Sequence, residues 1–131
     1  MSTDSLERVS SVARNWEAAC RSLDTEQILA CLADDATVWY NFQPDVKHSK
    51  KAYGDLLEAS KKTFYNQRYK DMRVHFHPGG FVEQATLEGD TANGVVETPL
   101  LLIATVEDDR ITRIEEYFDS SIMHKAGLAG G

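Results

Sequence analysis

Residues 94–120 read GVVETPLLLIATVEDDRITRIEEYFDS and contain two β-rich runs joined by a short polar break. The runs extend from Val95 to Glu107 and from Arg110 to Asp119, with Asp108-Asp109 between them. Val, Ile, Thr, Tyr and Phe, which are common in strands, dominate both runs. A tight polar break between two such runs predicts a β-hairpin. A long hairpin needs other elements to cover one face, and the preceding residues supply helices.

Apolar residues recur at steps of three and four in the first half of the chain, which predicts amphipathic helices. The first helix carries its apolar stripe from Leu6 to Leu23. Asp24 caps a second, shorter helix that is expected to end at Asp34-Asp35. Ser49 caps a third helix, whose stripe runs from Tyr53 to Phe64.

Strand-like segments cover Thr37 to Phe42, Tyr69 to His77 and Phe81 to Leu87, and Glu88 to Asn93 is expected to be a turn. The order is therefore helix, helix, strand, helix and then four antiparallel strands. This order predicts a single α+β domain over residues 1–131, in which three N-terminal helices pack on a curved antiparallel sheet. A sheet that wraps around the third helix would form a cone with an interior pocket. The tail from Ile122 is expected to be loose.

Composition excludes several classes of function. The chain of 131 residues is 42% hydrophobic and 27% charged, as expected of one globular domain. A net charge of −7 argues against nucleic-acid binding, which needs a clustered positive patch. No apolar run approaches the ~20 residues of a membrane span. The N-terminus lacks a secretory pattern, and Cys20 and Cys31 are predicted to be free thiols, so a cytoplasmic location is expected.

Two strings resemble the nuclear-transport-factor-2-like superfamily of cystatin-like α+β cones. They are LADDA, residues 32–36, before the first strand and DRITRIEEYFD, residues 109–119, in the last strand. This superfamily includes SnoaL-like polyketide cyclases, ketosteroid isomerases and limonene-epoxide hydrolases. The resemblance covers nearly the whole chain and implies a homodimer. Because one scaffold carries many activities here, the site must decide the function.

The resemblance also suggests site residues. Asp119 matches the last-strand Asp of the epoxide hydrolases, and Asn41 matches a first-strand Asn that helps to hold their water. Trp39 stands where those enzymes have a Tyr. Their Arg-x-Asp falls on about Glu83-Gln84-Ala85, so both of its charged residues are missing from this chain.

Asp119 and Glu83 are the candidate carboxylates for acid/base catalysis. A carboxyl group in an apolar pocket has a raised pKa and can exchange protons near neutral pH. Alternatively, Asp119 ends a strand and caps the following turn. Glu83 shares a face with Phe81 and Ala85, which is either the buried face or, in the opposite register, the solvent face.

His75 and His77 share a strand face with Arg73. They form a candidate base or ligand-orienting pair, because His titrates near neutral pH. A lyase and dehydratase branch of the superfamily pairs a His on this strand with an Asp near the second helix, for which Asp24 is the candidate here. The alternative is a polar sheet face, either in solvent or at a dimer surface. A metal site is not expected, since no third ligand lies at fixed spacing.

Trp39, Asn41 and Tyr117 are candidate binding residues, because aromatic walls with a few polar tips are typical of small-molecule pockets. The hypothesis is a cofactor-free isomerase, cyclase or hydrolase acting on a small hydrophobic, oxygenated molecule. Asp119 would move the proton, Glu83 or His75 would assist, and Asn41 with Tyr117 would hold an oxygen. The alternatives are a non-catalytic binding or assembly domain and a His/Asp lyase or dehydratase.

Overall fold

The computed structural model describes residues 3–119 and residue 121. The element bounds are α1 Thr3–Ser22, α2 Thr25–Ala30, β1 Leu32–Tyr40, β2 His48–Ser49, α3 Lys50–Thr63, β3 Tyr65–His77, β4 Gly80–Thr91, β5 Gly94–Glu107 and β6 Arg110–Phe118. The α+β class and the predicted order of the main helices and strands are confirmed. The prediction of a loose tail from Ile122 lies outside the described residues.

Both predicted helix caps are present. Asp24 Oδ1 accepts the backbone N–H groups of Glu26 and Gln27, and Ser49 Oγ accepts that of Ala52. The predicted end of α2 is wrong, however, because the helix stops at Ala30 and β1 begins at Leu32. Strand pairing at Leu32 explains the difference. Leu32 lies beside Ile111 of β6 and is fully buried, so tertiary packing overrides the local helical pattern.

The long strands extend further than their apolar patterns indicate. β4 continues to Thr91, so the predicted turn at Glu88 to Asn93 shrinks to residues 92–93. Gly94 follows with φ +108°, a value that favours glycine. Gly89 lies within the extended part of β4 and leaves room for the buried ring of Phe64. The polar residues at the end of β4 still form strand because β3 and β5 pair with them on both sides.

The described strands form one six-stranded sheet in the order β2-β1-β6-β5-β4-β3. β3 to β6 are successive antiparallel neighbours, as predicted. β1 lies parallel to β6, which the sequence pattern did not indicate. The parallel pair brings the N-terminal half of the chain against the last strand.

The core lies between one face of the sheet, called the inner face below, and the helices. α1 buries the larger apolar surface, with Trp16 only 1% exposed, whereas α3 buries chiefly Tyr53. The sheet therefore packs against α1 as well as α3. Within the described part of the chain, no helix has the length and apolar character needed to cross a membrane.

Candidate functional site

A row of five residues crosses the inner face of the sheet. The strand registers place Val74, Glu83, Leu102, Glu116 and Tyr40 side by side on β3, β4, β5, β6 and β1. Neighbouring strands are 4.7–4.9 Å apart, so the two Glu backbones that flank Leu102 are roughly 10 Å apart. The row therefore holds two carboxyl groups within reach of one small molecule.

Glu83 is 1% exposed and lies under α1. Its pKa is raised to about 7, chiefly by burial and secondly by the nearby Glu17 carboxylate, while the Trp16 indole N–H and Arg21 oppose the shift. The structure has the inward register of β4, with Phe81 and Ala85 buried on the same face. Neither Glu83 Oε1 nor Trp16 Nε1 has a partner in full hydrogen-bonding geometry among the described residues.

Glu116 is the second inward carboxyl group and is not among the residues predicted from the sequence. Burial raises its pKa to about 7, with Glu83 as the second cause. Its side chain is enclosed by protein atoms but keeps some accessible surface. Because Glu83 raises the pKa of Glu116 and both pKa values lie near neutrality, the two groups can differ in protonation state.

Three tyrosines lie around Glu116, and one of them, Tyr69, is also close to Glu83. Burial is the main cause that raises the phenol pKa of Tyr40, Tyr53 and Tyr69, and Glu116 contributes to each shift. The phenols therefore stay protonated at neutral pH and are available as hydrogen-bond donors. Together with the two carboxyl groups they give an apolar site a small set of polar tips.

Asp119 does not belong to this interior group. It follows the end of β6, is exposed, and accepts hydrogen bonds from the backbone N–H and the hydroxyl of Ser121 at 2.9 and 2.7 Å. The prediction that it lies in the apolar interior is therefore wrong. The alternation of β6 turns Glu116 and Phe118 inward and ends before Asp119, which caps the following turn.

His75 and His77 are exposed on the opposite, outer face of the sheet, together with Arg73. In the register, His75 lies beside Val82, whose neighbours Phe81 and Glu83 point inward. The structure therefore does not bring His75 to Glu83. Asp24, the candidate lyase partner, is occupied as the cap of α2.

The three predicted binding residues also lie away from the carboxyl pair. Trp39 packs edge-on against Tyr117 at a centroid distance of 5.3 Å and donates its indole N–H to the Pro44 carbonyl. Asn41 Oδ1 accepts the Phe118 N–H at 3.1 Å. Asn41 and Tyr117 line an open groove of about 530 Å³, formed mostly by outer-face residues.

Glu116 could have been found from the pattern of β6. Ile114, Glu116 and Phe118 alternate, and a Glu between two apolar residues of one strand face indicates a buried carboxyl group. The resemblance directed attention to the strand end, and Asp119, instead. Among the described residues, no group of three or more His, Cys, Asp or Glu side chains is placed to hold a metal ion.

Comparison with solved structures places the fold. PrhC from Penicillium brasilianum is 19% identical at a TM-score of 0.79, covering 93% of this chain and 87% of its own. BvnE pinacolase from Penicillium brevicompactum is 10% identical, with a TM-score of 0.81; the match covers 95% of this chain and 92% of the pinacolase. A protein with a ketosteroid isomerase-like fold from Catenulispora acidiphila, in complex with trimethylamine, is 14% identical, with a TM-score of 0.75. The match covers 90% of this chain and 93% of that protein.

These likenesses show the fold of the chain, which is the nuclear-transport-factor-2-like or ketosteroid isomerase-like fold. The resemblance inferred from the sequence is thereby confirmed at the level of the fold. The sequence itself matches no protein-family model and no curated protein.

Proposed function

We propose that this protein is a cofactor-free acid/base enzyme that acts on a small hydrophobic, oxygenated molecule, with Glu83 and Glu116 as the proton-exchanging groups. The observation that carries the proposal is the pair of inward carboxyl groups in one row of the sheet, each with a pKa of about 7. Catalytic acids and bases work best when their pKa lies near the working pH.

The substrate would lie between the sheet and the helices. Glu116 and Tyr69 are enclosed by protein atoms and still keep accessible surface, as side chains that border an internal hollow do. The ring of Phe118 packs against Tyr40 and Phe42, which gives the same region an aromatic wall. An apolar site with few polar groups suits a hydrophobic molecule that carries one or two oxygens.

The two carboxyl groups would act together. One, as carboxylate, removes a proton from a carbon next to a carbonyl group, while the other, as carboxylic acid, donates a hydrogen bond to the carbonyl oxygen. The negative charge that develops on this oxygen is stabilised by that donor and by a neighbouring phenol. Return of the proton to another carbon of the delocalised enolate completes an isomerisation and restores both groups.

The solved structures support a catalytic proposal without identifying the substrate. One of the similar folds is a pinacolase, and another has a ketosteroid isomerase-like fold. A non-catalytic binding domain, the rival hypothesis, does not require two inward carboxyl groups with raised pKa. On this scaffold the carboxyl pair therefore favours the enzyme.

The proposal is tested by exchange of the protons next to the carbonyl of 2-decalone in D2O, followed by NMR. We expect the wild-type protein to accelerate exchange and Glu116→Gln to lose at least about 99% of the acceleration, since one general base contributes roughly 10²–10⁴-fold. Glu115→Gln is the matched control, because Glu115 is the neighbouring residue on β6, lies on the outer face and pairs with Arg113.

Asp119→Asn separates the structural proposal from the hypothesis drawn from the sequence. Asp119 is exposed at the end of β6, so its amide variant should retain the exchange activity. If Asp119→Asn abolishes exchange while Glu116→Gln keeps it, the carboxyl pair is not the catalytic centre.

We further propose that the protein is a cytoplasmic homodimer whose subunits meet through the outer face of the sheet. Val82, Leu101, Ile103 and Trp39 are only half-buried there, and Tyr117 is 38% exposed. A broad apolar surface of this kind is typical of subunit interfaces. A second copy of the chain is the partner that the family resemblance implies.

A further inference from the structure

Two buried polar atoms at the contact between α1 and β4 lack a partner in full hydrogen-bonding geometry, although the Trp16 indole N–H lies near enough to Glu83 to lower the pKa of that carboxyl group. Trp16 Nε1 is a donor and Glu83 Oε1 is an acceptor while its carboxyl group is ionised, and both side chains are 1% exposed. A buried polar group that lacks a hydrogen-bond partner destabilises the folded protein. A ligand group that both accepts from this donor and donates to this acceptor would remove the penalty, so the two atoms form a candidate binding site for such a group.

We propose that Trp16 and Glu83 form a subsite that binds a single ligand oxygen. The subsite prefers the oxygen of an alcohol while the Glu83 carboxyl group is ionised and the oxygen of a ketone while it is protonated. A hydroxyl group accepts from the indole N–H and donates to a carboxylate oxygen. When Glu83 is protonated, the subsite presents two donors, and a carbonyl oxygen with two lone pairs accepts both. The subsite rests on the proposed function, because it assigns Glu83 as the group that holds the substrate oxygen and leaves Glu116 as the base.

Charged and titratable groups on each neighbouring element set the state of Glu83. Glu17 and Arg21 act on it from α1, where the two form an ion pair at 3.4 Å. Cys20 of α1 and Tyr69 of β3 also face it. Glu116 of β6 is the other carboxyl group. The Glu17 carboxylate and the buried position favour protonated Glu83, so both forms are populated near neutral pH, where the pKa is about 7.

The test compares 2-decalone with 2-decalol, which have the same carbon skeleton and differ in the oxygen. Binding is measured by isothermal titration calorimetry at about pH 6 and about pH 8.5, on either side of the Glu83 transition. We expect the ketone to bind about fivefold more tightly at the lower pH and the alcohol to bind about fivefold more tightly at the higher pH, as one net hydrogen bond allows.

Variants show whether the two residues cause this reversal. Glu83→Gln cannot ionise, so its ratio of ketone to alcohol affinity should be the same at both pH values. Trp16→Phe should weaken both probes, because the shared donor is lost. Glu115→Gln, on the outer face, should keep the reversal. In a Trp39→Phe background, Trp16 is the sole tryptophan, and its emission should titrate with a midpoint near 7 and respond to either probe.

Specific results would overturn the subsite. They are an affinity ratio that does not change with pH, a reversal that survives Glu83→Gln, or probe binding that leaves Trp16 emission unchanged. If both probes fail to alter the Trp16 titration, the atoms are satisfied by water and the subsite is wrong. If proton exchange remains dependent on Glu116 in any of these cases, the proposed function stands without the subsite. If the reversal occurs without any exchange activity, the subsite stands and the catalytic proposal fails.

Discussion

Burial of Glu83 should couple the stability of the protein to pH. The pKa of a Glu side chain is ordinarily 4.5, and that of Glu83 in the folded protein is about 7. Between these values the folded state binds more protons than the unfolded state, so the free energy of unfolding falls as the pH rises. The loss begins near 4.5, is complete above about 7, and is on the order of 3 kcal/mol for one such group.

We therefore expect wild-type protein to be less stable at about pH 8.5 than at about pH 5.5 in urea denaturation. Glu83→Gln should lose about half of this pH dependence, because Glu116 still titrates with a raised pKa. It should also be more stable than wild type at the higher pH, because the amide has no charge to bury. Glu115→Gln again serves as the control and should keep the wild-type dependence. A wild-type stability that rises across this range would show that Glu83 is ionised without penalty.

At the scale of the element, β4 depends on the missing side chain of Gly89. A Cβ at this position would lie 1.8 Å from Cε2 of the buried Phe64 ring. Such a distance is far inside van der Waals contact, so the ring or the strand must move. Phe64 follows α3 and anchors the end of that helix to the sheet.

Gly89→Ala should therefore destabilise the protein by about 1–3 kcal/mol, the usual cost of overpacking a core. Thermal and urea denaturation measure this loss directly. Gly79→Ala is the matched control, because a Cβ there would meet only the His77 ring, at 3.8 Å, and the position is exposed. Equal effects of the two substitutions would mean that loss of glycine flexibility, and not the Phe64 contact, matters.

The strand elements also show how far alternation predicts structure. In β4, the pattern around Glu83 presented two registers, and only the pairing with β3 and β5 selects the inward one. In β6, the family resemblance pointed to Asp119 at the end of the strand. The register, in which Glu116 lies beside the buried Leu102 of β5, instead places Glu116 on the inner face. A shift of one residue exchanges the two faces of a strand, so local sequence leaves this choice open.

At the scale of the whole molecule, the outer face of the sheet predicts self-association. Ile103 lies near the middle of this face, between Val82 and Glu115 in the register, and is half-buried in the single chain. We expect sedimentation of the wild-type protein at twice the mass of one chain. Ile103→Lys should give a monomer, because a charge in an apolar interface must be desolvated.

His75→Lys provides the control for the dimer. His75 lies on the same outer face but on the edge strand β3 and is already exposed, so a charge there should leave association unchanged. A monomeric wild-type protein, or a dimer that tolerates Ile103→Lys, would place the interface elsewhere.

The sequence by itself determined the α+β class, the caps at Asp24 and Ser49 and the hairpin at Asp108-Asp109, because each depends on local periodicity or turn chemistry. Only the tertiary structure decided that β1 lies parallel to β6 and that Glu83 and Glu116 share one row. These features depend on register between segments distant in the chain. A carboxyl group acquires its raised pKa from the neighbours that such pairing brings around it, and no local pattern contains them.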